Sequence, residues 1–222
     1  MTRTRRISKA QQGIHKNLEC VVKKHLNSTH QKPVAEHTQQ AFDKIKPLVD
    51  EALAAGRPLI FDSGCGTAMS TRILAEQNPH GLILGIDRSA SRLEKEYNRQ
   101  LPQNAHLIRA ECADFWHLAS RQGWKLSAHK ILYPNPYPKS KHLKRRWHGH
   151  PAFSDMLALG GEIELRTNWK VYADEFCAAI NLANKRTLRC QGVEIFIPQK
   201  PLTLFEKKYH DAGQPLWRVF SK

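Results

Sequence analysis

The sequence predicts an α/β fold: a Rossmann-like, mostly parallel seven-stranded sheet with helices on both faces. Three observations predict it. Short apolar runs recur from Leu59 onward, and helical patterns fill the gaps between them. A glycine pair, Gly64 and Gly66, falls between the first run and the first such helix. That is where open α/β sheets bind ligands.

The elements follow in order. From about Ser8 the spacing of Ile14, Leu18, Val21 and Val22 follows one face of a helix. A second helix runs from Pro33 to Ala55 on the stripe Phe42, Ile45, Leu48, Val49, Ala52 and Leu53, and Gly56 and Pro58 end it. Leu59 to Asp62 is the first strand, Ser63 to Thr67 a tight turn, and Ala68 to Asn78 a helix. Leu82 to Asp87 is the second strand, with a helix near Ser89–Arg99. Ala105 to Ala110 is the third, followed by a helix over Asp114 to Gln122. Lys130 to Tyr133 is the fourth, then come the loop 134–149 and a helix at Pro151–Leu159. Glu162 to Thr167 is the fifth, with a helix at Val171–Ala183. Val193–Ile197 and Leu216–Phe220 close the sheet. The chain divides into a basic helical extension, 1–55, and a single domain, 56–222.

Composition narrows the function classes. A chain of 222 residues, 41% hydrophobic and 25% charged, is an ordinary globular domain. No apolar run is long enough to span a bilayer, which excludes a membrane protein of the helical kind. The basic start MTRTRRISKAQQG has no apolar segment after it and is no secretory signal, so the expected location is the cytoplasm. Cys20, Cys65, Cys112, Cys177 and Cys190 are scattered, which predicts reduced thiols and no metal signature. His142, His148 and His150 cluster, but among lysines and arginines, which disfavour a divalent cation; no metal is expected. The net charge of +15 points to a polyanion, and nucleic acid is the obvious one.

The turn Phe61-Asp62-Ser63-Gly64-Cys65-Gly66-Thr67 carries the first chemical signal. Its glycines let the backbone tighten and approach a ligand. Met69 stands where a dinucleotide fingerprint needs its third glycine, which argues against a nicotinamide oxidoreductase. Asp62, just before the pair, suits an amino-acid-bearing ligand with no pyrophosphate. Asp87 ends the second strand, where a carboxylate accepts from ribose hydroxyls. Glu111 follows the third strand and is the choice for an adenine contact, with Arg88, Cys112 and Asp114 beside these acids. The same acids could instead serve as helix caps or N-terminal charges, Asp114 most readily.

The most specific stretch runs from Tyr133 to Trp147. Pro134, Pro136 and Pro138 stiffen it, and Lys139, Lys141, Lys144, Arg145 and Arg146 make a dense cationic run. A charge run is usually a solvated face, but one beside a ligand cleft suits a phosphate backbone. Tyr137 or Trp147 could stack on an extruded base.

In these motifs taken together, the chain resembles the bacterial tRNA (guanine-N7)-methyltransferases, the TrmB family. The resemblance covers Phe61 to the C-terminus. It rests on the glycine turn, Gly-Ile-Asp at 85–87, Pro-Asn-Pro-Tyr-Pro-Lys at 134–139, Lys-Arg-Arg at 144–146, Gly-Gly at 160–161, Thr-Asn at 167–168 and Thr-Leu-Phe-Glu at 203–206. It implies a class I S-adenosylmethionine methyltransferase fold, with the methyl donor held by Asp62, Gly64, Gly66, Asp87, Arg88, Glu111, Cys112, Asp114 and Asn135. It implies a tRNA partner, or another structured RNA, met by Lys139, Lys144, Arg145, Arg146, Asn168, Thr203, Phe205 and Glu206. Asn135 would be the catalytic position, and the protein would act as a monomer or homodimer.

Two departures matter. The family usually has Asp between the two prolines and after the threonine, and this chain has Asn135 and Asn168. An amide still accepts a hydrogen bond but supplies no negative charge. The alternatives are therefore a related enzyme with another methyl acceptor, or an RNA-binding protein with little or no catalysis.

Overall fold

The computed structural model describes residues 10–28, 31–95, 100–183 and 188–221. Seven strands form one sheet in the order β3-β2-β1-β4-β5-β7-β6. β1 (Leu59–Ser63), β2 (Leu82–Asp87), β3 (Ala105–Arg109), β4 (Ala128–Leu132) and β5 (Glu162–Thr167) pair in parallel. β7 (Leu216–Ser221) runs antiparallel between β5 and β6 (Cys190–Phe196). β1 and β2 are buried along their whole length, as parallel strands covered on both faces must be. The strand order reverses between β1 and β4, and at that switch point a crevice opens at the carboxyl ends of the strands.

The helices are α1 (Leu18–Leu26), α2 (Glu36–Ala54), α3 (Met69–Gln77), α4 (Ala90–Leu93), α5 (Cys112–Arg121), α6 (Phe153–Leu159), α7 (Lys170–Leu182) and α8 (Leu204–Asp211). Two 3-10 turns, Ser140–Arg145 and Trp147–Gly149, fill the loop after β4. The helices ahead of β1 join the main core. Leu18 and Val22 are buried in it, and Phe42 stacks on Trp124 with ring centroids 4.8 Å apart. Gly85 brings β2 close under α3, where any Cβ would collide with the side chains of Thr71 and Leu107.

Three expectations are corrected and one element is new. The first helix begins at Leu18, and Ile14 is 54% exposed. Gly13 takes a left-handed φ of 69°, and Glu175 binds Gln11 and the His15 N–H, so this stretch cannot coil. α8 is an element the periodicity did not reveal. The helix expected at Ser89–Arg99 is a short turn, Ala90–Leu93; residues 96–99, like the basic residues 1–9, lie outside the described residues. The thiols are not all reduced: Cys177 and Cys190 form a disulfide between α7 and β6, with Cα atoms 5.3 Å apart, while Cys20, Cys65 and Cys112 are free. Thirteen residues of sequence separation hid a pairing that the return of the chain to the sheet creates. No helix among the described residues is long and apolar enough to cross a membrane.

Candidate active site

The turn after β1 folds over the end of β2. The N–H groups of Gly64 and Cys65 both donate to the Ile86 carbonyl, at 2.7 and 3.1 Å. Gly64 and Gly66 take left-handed φ values of 79° and 59°, which glycine adopts at no steric cost. Asp87, 4% exposed, braces this turn: Oδ2 accepts from the Gly66 N–H at 2.9 Å and Oδ1 from the Ser89 N–H at 2.8 Å. Arg92 approaches it at 3.6 Å, and Arg88 is exposed.

Asp62 lies beneath the turn, 1% exposed. Its Oδ2 accepts from the hydroxyls of Ser70 and Thr71, both at 2.6 Å. Its Oδ1 is buried with no hydrogen-bond partner. Burial lifts the carboxyl to about 6, against the two hydroxyls that lower it. Glu111, half-buried at the end of β3, leaves its side chain uncommitted to capping α5; its backbone N–H donates to Thr38. Cys112 is inert: burial pushes its thiol up to about 12.

Asp114 does not join this group. It is fully buried, and Oδ2 accepts from the Ala35 N–H at 3.0 Å, with Lys32 at 3.7 Å from Oδ1. It pins the entry to α2 onto α5, so the helix-terminal alternative describes it better than the cofactor role.

Beyond β4 the chain leaves the sheet through Tyr133, whose φ of 53° is left-handed and whose N–H donates to the Arg166 carbonyl at 2.8 Å. Asn135 is exposed at the head of the loop. Tyr137, also left-handed at φ 41°, turns the chain back. Two strained non-glycine residues flanking one segment mark it as held by its surroundings. Lys139, Lys144 and Arg145 are exposed, with Arg145 over the Tyr137 ring at 5.9 Å. Arg146 breaks the pattern. It is fully buried, pairs with Glu175, and donates to the Tyr137 carbonyl, so it cannot meet a phosphate. Trp147 is half-buried and packs 4.5 Å from Trp116 and 5.7 Å from His150.

Thr203 and Glu206 are also drawn inward. Thr203 caps α8, its hydroxyl accepting from the Glu206 N–H at 3.0 Å. Glu206, fully buried, pairs with Arg166 at 3.0 Å and accepts from the Leu202 N–H. Burial, and then the Glu206 charge, push the Tyr133 phenol up. Phe205 is 50% exposed and stacks on Tyr209, whose ring reaches Tyr133 at 5.8 Å. Asn168 donates to Gln214 at 2.8 Å. Asn135 thus follows β4, Asn168 follows β5, and Phe205 lies on α8 beside the Tyr209 ring that reaches Tyr133, while Arg146 and Glu206 are buried.

Residues that the sequence reading missed hold this edge. Arg166 bridges Glu164 at 2.7 Å and Glu206; Lys130 meets Glu164 at 2.7 Å. The alternation Glu162, Glu164, Arg166 along β5 was a signal for a polar face. Thr203-x-x-Glu206 was a capping-box signature for α8.

A family model described as "Putative methyltransferase" matches residues 56–219. The chain belongs to this family. The match runs from just ahead of β1 into β7 and so spans the whole sheet. The relatives that carry the name tRNA (guanine-N(7)-)-methyltransferase include the following two. The protein from Ectopseudomonas mendocina is 26% identical over 203 residues, covering 83% of this chain and 85% of its own. The protein from Nocardia farcinica is 29% identical over 213 residues, covering 80% and 76%. Among solved structures, an antibiotic-related methyltransferase superposes with a TM-score of 0.57 at 14% identity, covering 90% of this chain and 98% of its own. The 16S rRNA methyltransferase KamB gives 0.55 at 14%, covering 86% and 95%. At these identities the likeness is one of fold.

The residues present fit a sulfonium methyl donor. A buried carboxylate oxygen without a donor, Asp62 Oδ1, is what an amino-acid ammonium would satisfy. Each Asp87 oxygen accepts one N–H and retains capacity for a hydroxyl.

Proposed function

We propose that this methyltransferase is S-adenosylmethionine-dependent and forms N7-methylguanosine in tRNA. The observation that carries this reading is the meeting of two features at one sheet edge. Asp62 has a buried oxygen lacking a donor, and the stiff Asn135 loop beside it leads into the exposed cations Lys139, Lys144 and Arg145. The names of the relatives support the choice of base and RNA, and the cytoplasm is where tRNA would be met.

S-adenosylmethionine, when bound, supplies a methyl group on a positively charged sulfur. The chain must hold the acceptor nitrogen in line with that carbon. Guanine N7 has a free lone pair, so no residue here needs to remove a proton. That fits a site in which Asn135 and Asn168, both unable to act as bases, stand at the loop and the end of β5. The amide oxygen of Asn135 accepts from the base edge, Phe205 offers a stacking face, and Asp62, Asp87 and Glu111 hold the donor. Lys139, Lys144 and Arg145 grip phosphates and set the register of the RNA.

The test is methyl transfer from labelled donor to total tRNA, followed by nucleoside identification. Label in N7-methylguanosine is expected. Label in another nucleoside favours the second reading, a different methyl acceptor, to which the two neutral amides lend weight. No transfer at all removes the enzyme assignment.

A further inference from the structure

A carboxylate outside the chemistry sits at the centre of a buried polar cluster. Glu175 lies on α7 and is fully buried. Its Oε1 accepts from Gln11 Nε2 at 2.6 Å and from the His15 backbone N–H at 2.8 Å. Its Oε2 accepts from Arg146 Nη1 and from His148 Nε2, the latter at 2.8 Å.

Each of these partners leads to the loop or to the segment that crosses it. Arg146 directs Nε and Nη2 onto the Tyr137 carbonyl, at 3.2 and 3.0 Å, and Nη2 reaches the Lys139 carbonyl at 3.4 Å. The Gln11 backbone N–H donates to the Pro138 carbonyl at 2.8 Å. Three consecutive loop carbonyls are therefore held by groups that a single carboxylate organises. Tyr137 needs such restraint, since a left-handed φ in a non-glycine residue persists only where neighbours over-determine it. Burial works against the Glu175 charge, but His148 and Arg146 outweigh it and hold the carboxyl down at about 2.

We propose that Glu175 is a positioning residue for methyl transfer. Through Arg146 and the segment ahead of α1 it locks the Asn135 loop in the shape that presents the acceptor base. Its kinetic consequence rests on the proposed function; its effect on the loop does not. A merely structural ion pair would behave differently, because a buried pair replaced by apolar residues of similar volume often loses no stability. The apolar pair cannot donate to Tyr137 or accept from Gln11.

The experiment compares wild type, Arg146→Met with Glu175→Leu, and Gln11→Ala. It measures kcat, the KM for tRNA and the KM for the methyl donor, and amide exchange over residues 133–142. The double variant is expected to lose about tenfold or more in kcat with the donor KM nearly unchanged, and to exchange about tenfold faster in the loop. Gln11→Ala should show a smaller change of the same kind. Wild-type exchange and wild-type kcat in a folded double variant would overturn the proposal. If the double variant does not fold, Gln11→Ala decides, and unchanged loop exchange there overturns it. An inactive wild type would sink the RNA assignment and leave the exchange result standing.

Discussion

Asn168 donates through Nδ2 to Oε1 of Gln214 at 2.8 Å, joining the end of β5 to the approach to β7. That contact keeps the Asn168 side chain at the sheet edge and leaves its own amide oxygen turned to other uses. A carboxylate in its place would still accept from the Gln214 amide after rotation, and would add a charge facing a base that becomes cationic on N7 methylation.

Asn168→Asp and Asn135→Asp are therefore expected to raise the rate of guanine methylation. One charge-assisted contact in the transition state is worth on the order of a hundredfold. Steady-state methyl transfer to bulk tRNA measures this. A fall in rate for both variants would mean the amides serve a different acceptor.

Donor binding should depend on pH through Asp62. Its folded carboxyl stands at about 6, raised by burial. Raising an acid favours its neutral form, so the stability it contributes to the free protein is full below about 4 and is lost as pH rises through 6. A bound ammonium reverses that preference and calls for the ionised form. S-adenosylhomocysteine should therefore bind about tenfold more weakly at pH 5 than at pH 7. Calorimetric titration at both values checks it, with Asp62→Asn expected to flatten the difference. Equal affinity at pH 5 and 7 in the wild type would place the ligand away from Asp62.

Lys144 and Arg145 are exposed, and no carboxylate lies within ion-pair distance of either among the described residues. Replacing both with Ala should weaken tRNA binding and lower the salt slope of log Kd by about 2. Binding measured across a salt series reads this directly. Arg146, sequence neighbour to both, should not behave this way, because its guanidinium is inside.

The Cys177–Cys190 bond closes a loop of 13 residues' separation. Such a cross-link contributes about 3 kcal/mol by restricting the unfolded chain. Cys177→Ser should lower Tm by roughly 5–10 °C. An unchanged melting curve, in the variant and in the wild type under reductant, would show that the two sulfurs are not joined.

β1, β2 and the glycine turn were legible because these two parallel strands are buried along their whole length and read as near-continuous apolar runs, and because the ligand turn has few residues able to form it. Phe61 to Asp87 reads this way almost residue by residue. The family resemblance added the loop and the donor acids. What the sequence could not rank was the direction each polar side chain takes. Lys144, Arg145 and Arg146 are one run of like charge in the chain, yet α7 brings Glu175 to the third alone and turns it into the core. Asp62 and Asp114 each keep a buried Oδ1 without a hydrogen-bond donor, yet the entry to α2 places Lys32 3.7 Å from that of Asp114 and no cation that close to that of Asp62 among the described residues. Local pattern fixes which residues stand at the sheet edge. Which of them remain free to meet a ligand depends on partners more than a hundred residues away in some cases, as with Gln11 and Glu175, and only the packed tertiary structure supplies those.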